Sequence, residues 1–196
     1  LCQTAFLPPS VQWTKIENVA TGLYNVAAYI VNPNPNGAAL NVPYTYSLFD
    51  KDGGLIISTK GVTTLPPHRN TVAFMGAIDT AKRTPVKAIF EFSSSPQWQK
   101  SHDTLGDLAI LDKKYTEDAN SSSLEVTLEN RALTPYTDVY VFVVLYDENN
   151  NALGFSKTKI DAIPAGTKTI APFTWPVTRE GKVVSIEVLP VIPPVI

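Results

Sequence analysis

An internal repeat limits what this chain can fold into more than any other feature of its sequence. Asn32 precedes Asp50 by 18 positions, and Asn130 precedes Asp147 by 17. A proline follows the aspartate after 16 positions in the first copy and after 17 in the second. Such regular self-similarity is typical of a duplicated structural unit. We therefore predict two diverged copies of one domain rather than a single large fold.

The chain length fits this division. Its 196 residues allow two domains of about 95 residues, each large enough for a modest hydrophobic core. The copies meet in the short polar segment 98–107, so we place the domains at 1–100 and 101–196. A short linker limits the freedom of the domains to move as separate bodies.

Each copy has the side-chain alternation of β-strands. Val42, Tyr44, Tyr46 and Leu48 fall on one face of an extended strand, and the residues between them are small or polar. The run 139–146 is apolar on both faces, so we expect this strand to be covered on both sides. The predicted strands are 15–19, 24–31, 42–48, 55–59, 71–75 and 86–92 in the first copy, and 108–115, 124–129, 139–146, 152–160, 167–173 and 183–188 in the second.

Turn signals separate these strands at regular spacing. Asp50 and Asp147 each follow the strongest strand of their copy and begin a stretch rich in Asp, Asn and Gly, the residues that favour tight turns. Proline accounts for 16 residues, which argues against long helices, and no window has a helical period. We predict an all-β protein with two tandem immunoglobulin-like β-sandwich domains.

Composition excludes several classes of function. The 16 Lys and Arg residues nearly balance the 18 Asp and Glu residues, so the chain lacks the basic surface of a nucleic-acid-binding protein. A single Cys rules out an intrachain disulfide. No apolar run reaches the roughly 18 residues of a membrane helix. We predict no cofactor, no nucleic-acid partner and no membrane span within the chain, whereas a protein partner or self-association remains open.

The strand-end motifs resemble those of a known family. YSLFD at 46–50 and VVLYD at 143–147 are similar to the motif of FxLYD domains, immunoglobulin-like β-sandwiches of bacterial exported and surface proteins. NPN at 32–34 also resembles a motif of water-hypersensitivity domains. Tyr46 and Val143 replace the Phe of the motif, and the second copy lacks NPN. The whole arrangement resembles tandem surface proteins of candidate-phylum bacteria. The resemblance implies a sandwich fold and export but no activity. The motif residues are Asn32, Leu48, Phe49, Asp50, Asn130, Leu145, Tyr146 and Asp147.

Residues with catalytic or metal-binding chemistry are few. His68 and His102 lie in loops, and no nucleophile elbow accompanies them. The Asp50 loop is a fragment of a calcium-loop pattern without its later ligands, and the loop after Asp147 offers more oxygen atoms. We interpret both as turns and leave weak calcium binding open. Asn120 begins a glycosylation sequon whose use is equally open. We predict no catalytic and no metal site.

Two tryptophans and an apolar tail are the candidate interaction residues. Trp98 and Trp175 are flanked by proline and polar residues, which suits either packing at a domain junction or a ligand platform. The tail 188–196 is apolar and proline-broken. It suits a last strand and stalk, or a strand donated to a neighbouring subunit. The candidates are Trp98, Trp175, Val191, Ile192, Val195 and Ile196.

The sequence favours a non-enzymatic role outside the cell. One Cys and one Met in the chain lean towards an exported protein. The chain starts at Leu1, so we expect it to be a processed form, and Cys2 is a lipidation site, the remnant of a Cys-rich module or an incidental thiol. We predict an extracellular structural, scaffold or adhesion module of a bacterial surface. The alternatives are a filament or sheath subunit assembled by strand exchange through its termini, and a carbohydrate- or protein-binding module.

Overall fold

The described part of the chain folds into β-strands and loops, as the alternating pattern predicts. A computed structural model describes residues 5–176 and 180–192. Strands account for 64% of the described residues and none of these residues is helical, which confirms the all-β class. The strands are β1 (Ser10–Ala20), β2 (Leu23–Val31), β3 (Gly37–Phe49), β4 (Leu55–Leu65), β5 (Thr71–Asp79), β6 (Lys87–Phe92), β7 (Gln99–Lys100), β8 (Leu108–Glu117), β9 (Ser122–Asn130), β10 (Tyr136–Tyr146), β11 (Ala152–Ile163), β12 (Lys168–Trp175) and β13 (Ser185–Val191).

The chain forms two compact units, which divide between Asp103 and Thr104. This boundary lies three residues beyond the division at 100 and 101 expected from the sequence. The added residues belong to the first unit because β7 pairs with the start of β3, and the Ser101 amide donates to the Asn36 carbonyl at 3.0 Å. The two-residue strand β7 has no counterpart among the strands predicted from sequence.

Both units have the same sheet topology. In the first, one sheet has the order β1-β2-β5 and the other β4-β3-β6, with β7 beside β3. In the second, the sheets are β8-β9-β12 and β11-β10-β13. Every strand pair is antiparallel. Strands β1 to β6 therefore correspond in order to β8 to β13.

The two units also share irregularities of register. The β1–β2 ladder slips between Val11 and Trp13, and the β8–β9 ladder slips between Ile110 and Asp112. A second slip in each unit lies at the end of β3 and of β10, immediately before the turn aspartate. Because a β-bulge re-aims the strand and fixes its register, this agreement extends the repeat beyond strand order.

Each unit encloses a core drawn from both of its sheets. The alternating residues of β3 face those of β2 and β5 in the first unit, and β10 likewise faces β9 and β12 in the second. The first core contains Val26, Ala28, Ile30, Ala39, Val42, Tyr44, Tyr46, Leu48, Leu65, Ala73 and Ile78. The second contains Leu105, Leu108, Leu124, Val126, Leu128, Tyr136, Val139, Val141, Val143, Leu145, Ile160, Ile163, Ala171, Phe173 and Trp175. Each unit is thus a β-sandwich.

The apolar tail begins as a strand of its own unit. Val188 pairs with Val143 and Val191 with Tyr140, so β13 completes the sheet beside β10. Val191 is buried and Ile192 is half-buried against the core. Val191, one of the candidate interaction residues, is thus buried in the last strand of its own unit, which the last-strand interpretation of the tail predicts. Val195 and Ile196, like Leu1 and Cys2, lie outside the described residues.

Candidate functional site

The two motif asparagines are buried and hold the chain at the same corner of each sandwich. The Asn32 amide donates to the Gly37 carbonyl at 2.8 Å and to the Pro66 carbonyl at 2.7 Å. Asn130 donates to the carbonyls of Thr134 at 2.8 Å and Ile163 at 2.9 Å. Each joins the end of its strand to the loop that follows and to a distant strand end. Both asparagines are thus committed to the fold.

The side-chain oxygens of these asparagines are occupied as well. Asn32 Oδ1 accepts from the Asn34 backbone at 2.9 Å, and Asn130 Oδ1 accepts from the Ala132 backbone at 2.9 Å. A buried amide satisfied at both ends is costly to replace, because truncation leaves buried carbonyl and N–H groups without partners. The structure gives these residues an architectural role.

The two motif aspartates close matching turns. Asp50 Oδ1 accepts from the amides of Asp52 at 3.1 Å and Gly54 at 2.8 Å. Asp147 Oδ1 accepts from the amides of Asn149 and Asn151, each at 2.8 Å. Both turns have the Asp-initiated geometry that their sequences predict.

The second carboxylate oxygen of each aspartate also has a neighbour. Arg83 Nη2 donates to Asp50 Oδ2 at 2.6 Å, whereas Asn151 Nδ2 donates to Asp147 Oδ2 at 2.9 Å. The amide of Gly54 and the guanidinium of Arg83 hold the pKa of Asp50 below its ordinary value of 3.8. Within 5–176 and 180–192, no three His, Cys, Asp or Glu residues gather as a metal site would require.

The remaining motif residues belong to the strands. Leu48 and Leu145 are fully buried core residues. Phe49 and Tyr146 are half-buried, and the Tyr146 hydroxyl lies 3.1 Å from Glu187 Oε2. The motif therefore places one core leucine and one aromatic residue immediately before the turn in each unit.

Trp175 was expected to contribute to an interaction surface, and this is wrong. It is only 2% exposed, and its indole N–H donates to the Phe155 carbonyl at 3.0 Å. Ala171, Phe173 and Trp175 share the inward face of β12 by strict alternation. The adjacent Thr and Pro suggested exposure, but the strand period decides the direction of the side chain.

Trp98 remains partly exposed and packs beside the first core. Its ring lies 5.8 Å from the ring of Phe6, which belongs to the N-terminal segment that the strand-exchange alternative would use. A β-carbon added to Gly37 would lie 2.7 Å from the Phe6 ring, so the absent side chain makes room for it. We call the surface formed by Asn34, Gly37 and Trp98 the Phe6 slot.

Asn34 is a residue that the sequence left without a role. Its Oδ1 accepts from the Leu7 amide and its Nδ2 donates to the Leu7 carbonyl, both at 2.8 Å. The side chain thus pairs with the backbone of residue 7 as a neighbouring strand would. The NPN motif was the available signal, but only the tertiary structure identifies the partner of its second asparagine.

Both histidines of the chain lie in loops. His68 and His102 are both exposed. Beside them in sequence, Arg69 forms a salt bridge with Asp103: Arg69 Nε donates to Asp103 Oδ1 at 2.8 Å, and Arg69 Nη2 donates to Asp103 Oδ2 at 2.6 Å. That pair ties residue 103 to the loop between β4 and β5. Asn120 is exposed in the turn between β8 and β9.

Comparisons with known proteins give little further direction. No family model and no curated protein matches the chain. A transglutaminase from red sea bream has a TM-score of 0.28 and 11% identity over 94% of this chain and 31% of its own. A protein assigned as a beta-galactosidase from Bacteroides fragilis has a TM-score of 0.25 and 13% identity over 87% of this chain and 32% of its own. The chain thus spans about a third of each. In the described residues, no helix has the length and apolar character of a membrane span.

Proposed function

We propose that the chain is a non-enzymatic structural module, a scaffold or adhesion element of an extracellular bacterial surface. The observation that carries this proposal is the use of the motif side chains. Asn32, Asn130, Asp50 and Asp147 direct their polar atoms to the backbone or to neighbouring side chains of their own unit. Groups engaged in this way stabilise turns and strand ends, as a structural module requires.

The requirements of catalytic and metal sites also support a structural role for the turn aspartate Asp50. A nucleophile needs a base within hydrogen-bond reach, and a calcium ion needs six or more oxygen ligands. The carboxylate oxygens of Asp50 already accept from two backbone amides and Arg83. A cation would have to displace these donors.

The extracellular part of the proposal has separate support in the sequence. The resemblance to FxLYD domains, the near balance of charge and the single Cys and Met are all compatible with an exported sandwich. Two sandwiches in series suit a spacer, whose folded core protects the backbone while its loops are free to vary.

A ligand screen on the full chain tests this function. Calcium, magnesium, zinc, nucleotides and a set of oligosaccharides would be added separately while thermal unfolding is followed. A ligand at a hundredfold excess over its dissociation constant stabilises a protein by about 2.7 kcal/mol. That would raise the midpoint of a domain of this size by roughly 10 °C or more. We expect no addition to raise it.

Matched variants decide what a positive result means. A rise with calcium that Asp50→Asn or Asp147→Asn removes would contradict the structural role of that turn. Asp79→Asn is the control, because the Asp79 carboxylate also accepts a backbone amide in an exposed turn but lies outside the two motifs. A rise with an oligosaccharide that Trp98→Ala removes would instead favour the binding-module alternative.

A further inference from the structure

The segment before β1 is held by side-chain contacts rather than by a strand ladder. Phe6 lies over Gly37 and beside Trp98, and Leu7 exchanges two hydrogen bonds with the Asn34 side chain. These contacts all come from the Phe6 slot. The segment therefore has a defined binding site on the surface of the first unit.

Hydrogen bonds that do not involve the segment orient the slot asparagine. Asn32 Oδ1 accepts from both the backbone amide of Asn34, at 2.9 Å, and its side-chain amide, at 3.1 Å. Asn32 is in turn fixed by the carbonyls of Gly37 and Pro66. Asn34 is thus oriented for an incoming backbone whether or not residue 7 is present, and pre-orientation lowers the entropic cost of binding.

Two prolines separate the bound segment from β1. Pro8 and Pro9 have no backbone N–H, so neither can donate a hydrogen bond to the neighbouring β2 side of the sheet. The β1 ladder accordingly begins at Ser10, paired with Val31. Release of Phe6 and Leu7 therefore breaks the slot contacts without opening the ladder of β1.

The second unit anchors the equivalent segment differently. Counting back from the shared β-bulge, Leu105 stands where Phe6 stands in the first unit. Leu105 is 3% exposed and belongs to the second core, whereas Phe6 stays half-buried at the surface. Ala132 stands where Asn34 does; its backbone amide donates to Asn130 Oδ1 and its side chain packs against the second core. The second unit thus has no side-chain amide at this position to bind the segment before its first strand.

We propose that the slot also accepts residues 5–9 of a second copy, so that two chains exchange these segments and form a symmetric dimer. The complementarity is already present, because a second copy would bring the same Phe6 ring and the same Leu7 backbone groups. An exchange of identical segments is self-complementary and closes as a two-fold assembly. The exchange goes beyond the proposed structural role and does not depend on it.

Sedimentation velocity of the full chain tests the exchange. A reductant would be present throughout, so that Cys2 cannot link two chains. The segment within one chain competes at an effective concentration in the millimolar range, so samples should extend from about 1 μM to about 1 mM. We expect the wild type to pass from monomer to dimer across this range. Phe6→Ala should remain monomeric throughout, because its segment no longer fits any slot.

Two further variants and a peptide make the result specific. Asn34→Ala, which installs the residue of the second unit, should weaken dimerisation about tenfold, because a segment without both Leu7 hydrogen bonds is mostly released from its own slot and from the partner's alike. Leu133→Ala, which removes a fully exposed leucine far from the slot in sequence, should dimerise as the wild type does. A synthetic peptide of residues 5–9 should dissociate the wild-type dimer, and a scrambled peptide should not.

The opposite results overturn the proposal. A wild type that stays monomeric at the highest concentration would show that the slot serves its own chain alone. A dimer that persists in Phe6→Ala, or that the peptide does not dissociate, would place the contact on another surface. Circular dichroism of each variant establishes that the sandwich is still folded.

Discussion

The two units build one framework and differ in what they add to it. Both place a buried asparagine at the end of the second strand and a turn aspartate after the third. Only the first unit has Asn34, which binds Leu7, where the second unit has Ala132. Features common to both units are thus what the sandwich requires. Features of one unit are where a particular function can lie.

The cores differ as clearly as the loops. From the shared register, Val141 and Val143 of the second unit occupy the positions of Tyr44 and Tyr46 in the first. The Tyr46 hydroxyl donates to the Ala73 carbonyl across the sandwich at 2.6 Å. The first core thus joins its two sheets through a tyrosine at a position where the second core has a valine, and the second core joins its sheets through the Trp175 indole and the Phe155 carbonyl instead.

Removing either buried asparagine should produce the largest effect. Asn32→Ala leaves two buried carbonyls without their amide donor, and Asn130→Ala leaves one buried and one partly buried carbonyl without theirs. We expect each substitution to cost about 3 kcal/mol. The thermal midpoint measured by circular dichroism should fall by roughly 15 °C. The exposed Asn120→Ala should change little. A loss below about 1 kcal/mol at either site would contradict the shared structural role.

Replacement of the two tryptophans should have the next largest effect, and the two losses of stability should differ. Trp175→Phe removes a buried hydrogen bond and leaves a cavity, so we expect a loss of about 2 kcal/mol in urea unfolding. Trp98→Phe keeps an aromatic ring at a half-exposed site and should cost well under 1 kcal/mol. Equal losses would mean that Trp98 is as integral to its core as Trp175.

Alkaline pH should destabilise the first core through its tyrosines. Burial raises the pKa of Tyr44 to about 12 and raises the pKa of Tyr46 as well. A tyrosine in the unfolded chain ionises near pH 10. The stability that depends on the neutral, buried tyrosines is therefore complete below pH 10 and is lost as the pH rises above it. At pH 11 each buried tyrosine should lower the free energy of unfolding by about 1 kcal/mol relative to its value below pH 10.

Urea unfolding at pH 9 and pH 11 measures this loss. Tyr46→Phe should make the free energy of unfolding less dependent on pH, since Phe does not ionise. Tyr140→Phe, at a half-exposed site of the second unit, is the control and should leave the dependence unchanged. An unaltered pH dependence in Tyr46→Phe would contradict the assignment to the first core.

The Arg69–Asp103 pair should have a smaller and more local effect. Its two parallel contacts hold the end of the first unit with both side chains about a quarter exposed, 28% and 26%. Arg69→Ala should cost about 1 kcal/mol and speed cleavage by endoproteinase Lys-C after Lys100. Arg131→Ala, which removes a more exposed pair in the second unit, should leave that rate unchanged. Unaltered cleavage in Arg69→Ala would show that β7 holds the segment alone.

Replacement of the turn aspartate Asp50 should have the smallest effect on stability. The pKa of Asp50 is depressed by its hydrogen bonds to Gly54 and Arg83, so the stability it confers is present above its ordinary pKa and declines as the pH falls through the lower, folded value. Asp50→Asn should therefore have a lower thermal midpoint than the wild type at pH 7. The difference between the two midpoints should become smaller as the pH falls. A constant gap down to pH 2 would contradict this source of stability.

Much of the fold follows from the sequence because alternation and turn chemistry are local. Each of the twelve predicted strands overlaps a strand of the structure, and the errors lie at strand ends, where residues such as Val191 continue the ladder. Strand β7 was not predicted, since two residues carry no period. The direction of Trp175 could have been derived from its alternation with Phe173, but the flanking proline and threonine obscured it.

The Phe6 slot could not be derived in the same way. Leu7 and Asn34 are 27 positions apart, and nothing local relates a side-chain amide to a distant backbone. The equivalence of Asn34 with Ala132 also depends on strand register, which only the paired ladders establish. Sequence reasoning therefore identified the motif that contains Asn34 but not its use.

The difference between tyrosines and valines in the two cores has a consequence for how the chain folds. Neighbouring domains of like topology can pair each other's strands during folding and become trapped in hybrid structures. A hybrid sandwich that combined β3 with β9 and β12 would have to fit Tyr44 and Tyr46 into a space shaped for valines. Overpacking of this kind typically costs 1–3 kcal/mol or more. Divergence of the two interiors thus protects the correct pairing, even though strand order and bulges are the same in both halves.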